Sequence, residues 1–201
     1  MKNEILKTAG ELFFKYGVRS VSVDDICNEM HISKKTFYVH FKQKDELIEC
    51  LLNSMRDEDI KKQAEFLNTD NVIIASIVNY KNLVKSFNVD KHIAFVYDLE
   101  KYYPKIMNKH REEKKLNLIN SIKSMIMLGI KQGFFREDIN IDLMSAYIAS
   151  SFYAFLQEKD MISMSNRKKI DFLIDTFYRI IFRSNFNLIP CIFRSIEMNT
   201  C

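Results

Sequence analysis

Residues 22–47 read SVDDICNEMHISKKTFYVHFKQKDEL, and this stretch decides the fold. Ser22 ahead of Val23-Asp24-Asp25 is a helix N-cap with acids in the first turn, where the helix dipole favours negative charge. The helix it opens runs to about Met30. Ser33 is a second N-cap and opens a helix through about His40, which leaves only His31-Ile32 or so for the turn. Two short helices joined this tightly must cross steeply, the geometry of a helix-turn-helix. Asp45-Glu46-Leu47 then opens a further helix that runs to about residue 66.

Upstream, Ile5, Ala9, Leu12 and Tyr16 recur at helical spacing, with Leu6 and Phe13 widening the stripe, and Gly17 supplies a C-terminal stop. Downstream, helical patterns lie at about 70–87, 91–100, 104–132, 141–157 and 166–186. Pro104 suits the first turn of the long one and Gly133 suits its end. The last helix carries an apolar stripe of Ile170, Leu173, Ile174, Phe177 and Ile181, with Phe172, Tyr178 and Phe182 off it, so it is buried on more than one side. Only 4 Gly and 2 Pro occur in 201 residues. Sandwiches and dinucleotide-binding folds need far more turn punctuation than that. The expectation is an all-α chain: a three-helix helix-turn-helix domain over residues 1–50, a larger helical domain over 51–189, and a loose tail over 190–201.

Charge is concentrated on the same stretch. Ser33 to Lys44 holds Lys34, Lys35, Lys42 and Lys44 and no acid, although residues 1–50 as a whole are neutral. A local cationic cluster suits phosphates, because each phosphate neutralised releases condensed counterions. Ile26, Met30, Ile32, Phe37 and Phe41 fit the inside of the three-helix unit, with the small Cys27 at the closest helix contact. Lys34, Lys35, Tyr38, Val39 and His40 then project outward. Tyr can bond a phosphate, Val can pack on a thymine methyl, and His and Lys can reach base edges in the major groove. A merely solvated lysine-rich helix is the competing reading.

The run Ile5–Leu52 resembles the N-terminal DNA-binding domain of the TetR (tetracycline-repressor-like) transcriptional regulators. The resemblance rests on Ala9, Leu12-Phe13, Gly17, Ser22-Val23, Asp25-Ile26, Ile32-Ser33-Lys34, Thr36, Tyr38, Phe41 and Lys44-Asp45-Glu46-Leu47. It implies that Lys34, Thr36, Tyr38, Val39 and His40 face DNA from the recognition helix and that Lys44 meets phosphate. Two departures stand out. His31 replaces the usual glycine of the turn, where a left-handed backbone costs His more than Gly. Lys35 replaces a second frequent glycine and adds a base or phosphate contact, so the operator sequence does not transfer from relatives.

Beyond residue 52 the resemblance is architectural. It implies a homodimer with the last two long helices paired across a two-fold axis, which presents two reading heads to a pseudopalindromic site. Tyr147, Ile148, Phe152, Phe155, Phe177 and Ile181 are the interface candidates. It also implies an inducer cavity near Phe87, His92, Phe95, Leu99, Tyr102, Tyr103, His110 and Met127, for an unknown and largely apolar small molecule. Plain core packing is the competing reading of each. A net charge of +5 over residues 101–123 attracts an anionic ligand or marks a solvated helix face.

Enzymatic motifs are absent: there is no His-Glu-x-x-His, no P-loop and no Gly-x-Ser-x-Gly, so neither catalysis nor a cofactor is expected. A helical carrier whose helix-turn-helix serves packing only is the other rival. Cys27, Cys50, Cys191 and Cys201 lack metal-ligand spacing and read as free thiols, with Cys191–Cys201 pairing as the alternative. Charges sit where a signal peptide needs an apolar core, and the longest uncharged stretch in the C-terminal half, residues 143–157, is short for a membrane span. The chain is expected in the cytoplasm as a ligand-released transcriptional repressor.

Overall fold

The computed structural model describes residues 1–73, 75–76, 93–157 and 166–183. Eight helices are present among them: α1 (Lys2–Tyr16), α2 (Val23–Glu29), α3 (Lys34–His40), α4 (Lys44–Leu67), α5 (Ile93–Tyr102), α6 (Pro104–Lys131), α7 (Ile141–Gln157) and α8 (Asn166–Ile181). The chain is all-α; the described residues contain one isolated antiparallel bridge, Phe135 with Phe182, and no strand. Two compact units form, one from residues 1–61 with the described part of 89–114, the other from the described parts of 62–88 and 115–201.

In the first unit, α1 buries Ile5, Ala9 and Phe13 along one stripe and ends at Gly17, whose N–H closes the last helical bond to the Phe13 carbonyl at 2.9 Å and whose φ of 84° turns the chain out of the helix. Ser22 caps α2 in a reciprocal box: its Oγ accepts from the Asp25 N–H at 3.1 Å, and Asp25 Oδ2 accepts from the Ser22 N–H at 2.7 Å. α2 ends with two returning bonds, Ile32 N–H to the Cys27 carbonyl at 3.0 Å and His31 N–H to the Asn28 carbonyl at 3.2 Å. That is a Schellman ending, and it requires the residue between them to be left-handed. His31 is, at φ 54°. Ser33 caps α3 by accepting from the Thr36 N–H at 3.0 Å.

Phe37 and Phe41 from the α3 segment, Ile26 and Cys27 from α2, and Leu47, Ile48, Leu51 and Leu52 from α4 close a single core over α1. Met30 and Ile32 pack at its edge. Phe95 and Leu99 of α5 are buried in the same core, and the Phe95 ring lies 4.6 Å from that of Phe14. Pro104 then opens α6, where its missing N–H costs nothing.

The second unit has its own core of Val72, Ile73, Ile122, Met125, Ile126, Phe135, Ala149, Phe177, Tyr178, Ile181 and Phe182. Gly133, at φ 78°, ends α6 in another Schellman motif, with Phe134 N–H on the Gly129 carbonyl at 2.9 Å. Phe135 folds back so tightly that a Cβ on Gly129 would lie 2.0 Å from its ring. α8 stops at Ile181, short of the expected 186, because the chain beyond turns extended to pair Phe182 with Phe135. Of the expected 70–87 helix, residues 72–73 and 75–76 are helical and 70–71 are not; 74 and 77–87 lie outside the described residues, as does the 190–201 tail.

Candidate nucleic-acid interface

α3 is seven residues long, and its two faces are chemically opposite. Phe37 is completely buried, with its ring 5.8 Å from Phe41 and edge-on to Tyr38 at 5.4 Å. This anchor fixes the rotation of the helix. It turns Lys34, Lys35, Tyr38 and Val39 to solvent, Tyr38 at 51% and Val39 at 73% exposure. Val39 is thus a β-branched side chain with little packing in the fold. Thr36 is half-buried, its hydroxyl 2.9 Å from Ser33 Oγ, so it also serves the cap. His40 is half-buried in the last turn.

Lys34 does not stand alone. Its ammonium lies 2.7 Å from Asp24 on α2, both side chains exposed, and this hydrogen bond raises the Lys34 pKa above its ordinary value. A phosphate arriving at Lys34 exchanges one anion for another. Lys35 has no such acid among the described residues.

Lys44 is placed differently from the sequence expectation. Its ammonium points back into the unit, donates to the carbonyls of Val18 and Val21, and lies 5.5 Å from the Phe13 ring. Partial burial lowers its pKa; nearby Asp98, Asp45 and Asp25 favour the charged form. Its ammonium thus holds the α1–α2 turn, a use that the sequence reading did not include.

The other face of this turn rests on α5. Asp98 Oδ2 accepts from the Arg19 N–H at 2.8 Å, and Arg19 donates to the Tyr102 hydroxyl with its guanidinium 4.5 Å from the ring centroid. A Cβ on Gly17 would meet Asp98 Oδ2 at 2.6 Å. Glycine at 17 is therefore required twice, by its φ and by this carboxylate. Sequence reasoning missed Arg19 and Asp98. Only Gly17 signalled the place, and it signalled a helix end.

Six of the eight inducer candidates lie among the described residues. Phe95 and Leu99 are core residues of the first unit, Tyr103 packs against that core, and Tyr102 lies under Arg19. His110 is buried, and its Nδ1 has no hydrogen-bond partner. Burial, then Lys114 and Arg56, push its pKa down to about 4 against the pull of Glu113 and Asp59. Met127 is exposed, and Phe87 and His92 lie outside the described residues. The dimer candidates divide as well. Phe177 and Ile181 are buried in the second unit's own core, and Ile148 packs partly buried at its edge. Tyr147 is exposed, Phe152 is half-buried, and the side chain of Phe155 lies outside the described residues.

Residues 5–51 match the family described as bacterial regulatory proteins, tetR family. The HTH-type transcriptional repressor KstR2 of Mycobacterium tuberculosis is 24% identical over 165 residues, which is 73% of this chain and 75% of the relative. A solved transcriptional regulator from Cytophaga hutchinsonii superposes with a TM-score of 0.72 at 16% identity, over 90% of this chain and 98% of the other. FadR of Thermus thermophilus, a TetR-family repressor solved with lauroyl-CoA, gives 0.61 at 14% identity, over 93% and 98%. At these identities the two solved structures share the fold.

Proposed function

The chain is a DNA-binding regulator of the tetR family, and from that premise we propose that it is a cytoplasmic homodimeric repressor that sits on a pseudopalindromic operator and leaves it when a small, largely apolar molecule binds. Residues 1–50 read DNA, and residues 51–189 sense the ligand and dimerise. The observation that carries the reading is the two-faced α3: a buried Phe37 anchor beneath a solvent-facing Lys34, Lys35, Tyr38 and Val39. Lys34, Lys35 and Tyr38 supply phosphate and base contacts, Val39 an apolar contact, with Thr36 and His40 at the margins.

Dimerisation is favoured by α7. Leu143, Tyr147, Ser150 and Ala154 recur at helical spacing and are all exposed, Leu143 at 70% and Tyr147 at 59%. Two large apolar side chains in line with two small uncharged ones leave a helix face that fits burial against a second copy. Release needs a ligand that prefers one conformer; a coupling of about 1–3 kcal/mol changes operator affinity roughly 5–150-fold. No described helix is long and apolar enough to cross a membrane.

The test is selection of bound fragments from random duplex DNA by the full-length protein, read by sequencing. The expected product is an inverted repeat with half-sites one helical turn apart or a multiple of it. Folded protein that enriches no motif, before and after refolding to strip bound ligand, overturns the reading.

A further inference from the structure

The α1–α2 turn, residues 17–21, is where the reading helices leave α1, and it is clamped from two sides by charged groups that lie outside the helix-turn-helix. On one side, Lys44 of α4 donates to the carbonyls of Val18 and Val21. On the other, Asp98 of α5 takes the Arg19 N–H at 2.8 Å and fills the space that a side chain at Gly17 would need. Arg19 completes the seat by stacking on Tyr102, four residues beyond Asp98 on the same helix. Below these polar contacts Phe95 and Leu99 enter the core that also holds Phe37, so α5 is packed into the reading head itself.

We propose that Asp98 is a positioning residue for DNA binding: by seating the Gly17–Val21 turn on α5 it sets where α2 and α3 stand, so that operator affinity depends on α5 being in place. The inference rests on the DNA-binding reading above and adds a residue on which that site's geometry depends. A conformer in which α5 withdraws its carboxylate leaves the Arg19 N–H without its acceptor and takes from Lys44 one of three nearby acids. The turn then loosens while the rest of the core persists. Charge and geometry are separable here. An asparagine at 98 keeps an oxygen for the Arg19 N–H, whereas an alanine keeps neither.

The experiment compares wild type, Asp98→Ala and Asp98→Asn as full-length chains, on the inverted repeat selected by wild type and on random duplex. Helical content and melting show that each is folded, and amide hydrogen exchange reads the turn directly. Asp98→Ala is expected to lose roughly ten-fold in operator affinity, the order of one hydrogen bond to a charged group. Its salt slope is expected to stay unchanged, since no phosphate contact is removed. Protection of the Arg19 amide should fall, and Asp98→Asn should recover most of both. Asp98→Ala that binds the operator as wild type does, or whose Arg19 amide stays protected, overturns the proposal. Should wild type itself select no motif, the DNA-binding reading fails instead, and intact Arg19 protection in Asp98→Ala still overturns the turn-holding role.

Discussion

His31 holds a left-handed backbone, φ 54°, at the one position of the α2 ending that geometry reserves for it. A side chain there costs about 1–2 kcal/mol, while glycine gives back roughly 0.4–1 kcal/mol through the freer unfolded chain. His31→Gly is therefore expected to stabilise the protein by about 0.5–1 kcal/mol in urea unfolding. A destabilised variant would show that His31 makes a contact worth more than its strain. His110 makes a second prediction, in pH. Its folded pKa of about 4 lies below the ordinary 6.5, so the unfolded chain takes up the proton first. Its contribution is fully present above pH 6.5 and is lost as pH falls toward 4, on the order of 3 kcal/mol in all. Unfolding of His110→Leu alongside wild type at pH 7 and pH 5 should show the wild type losing more stability. Equal slopes would mean that the imidazole is solvated when folded.

At the scale of the element, α3 works because a seven-residue helix is held by one cap and one anchor. Phe37 fixes its roll, and the exposed residues follow from that. Val39→Ala is expected to change preference at one base pair by about 1–3 kcal/mol while leaving affinity for random DNA unchanged, measured by competition between selected and scrambled duplexes. A uniform loss on both would place Val39 against the backbone. The caps of α2 and α3 and the Gly17 stop were legible in the sequence because each is a local rule, satisfied within a few residues. Lys44 was not. It stands in a run of lysines that reads as a phosphate patch, and only the tertiary fold brings the Val18 and Val21 carbonyls, more than twenty residues upstream, to its ammonium.

For the whole molecule, the proposed function needs two heads, and the exposed stripe of α7 is the surface proposed for a second copy. Leu143→Glu with Tyr147→Glu forces charges into that surface. It is expected to give a folded monomer in sedimentation at micromolar concentration, with operator affinity down at least roughly ten-fold as half the contacts are lost. A dimer that persists places the interface elsewhere. The second unit's core also corrects where apolar residues are used. Phe177 and Ile181 lie on a helix apolar on several faces, and the periodicity cannot say which face meets its own chain. Burial of both inside the unit leaves Leu143 and Tyr147 outside.

The helical class, the three-helix head with its caps and the outward Lys34, Lys35, Tyr38 and Val39 of α3 all follow from the order of the amino acids. They depend on periodicity, capping and turn chemistry, which act over four to eight residues or so. Packing in three dimensions was needed to assign α5 to the reading head, and to show that Asp98 and Lys44 clamp its turn. It also placed Phe95 and Leu99 in the core of the first unit. A pattern of apolar spacing says that a face is buried and never against what. That choice is made among segments distant in sequence, where volume and hydrogen-bond satisfaction select one partner among several.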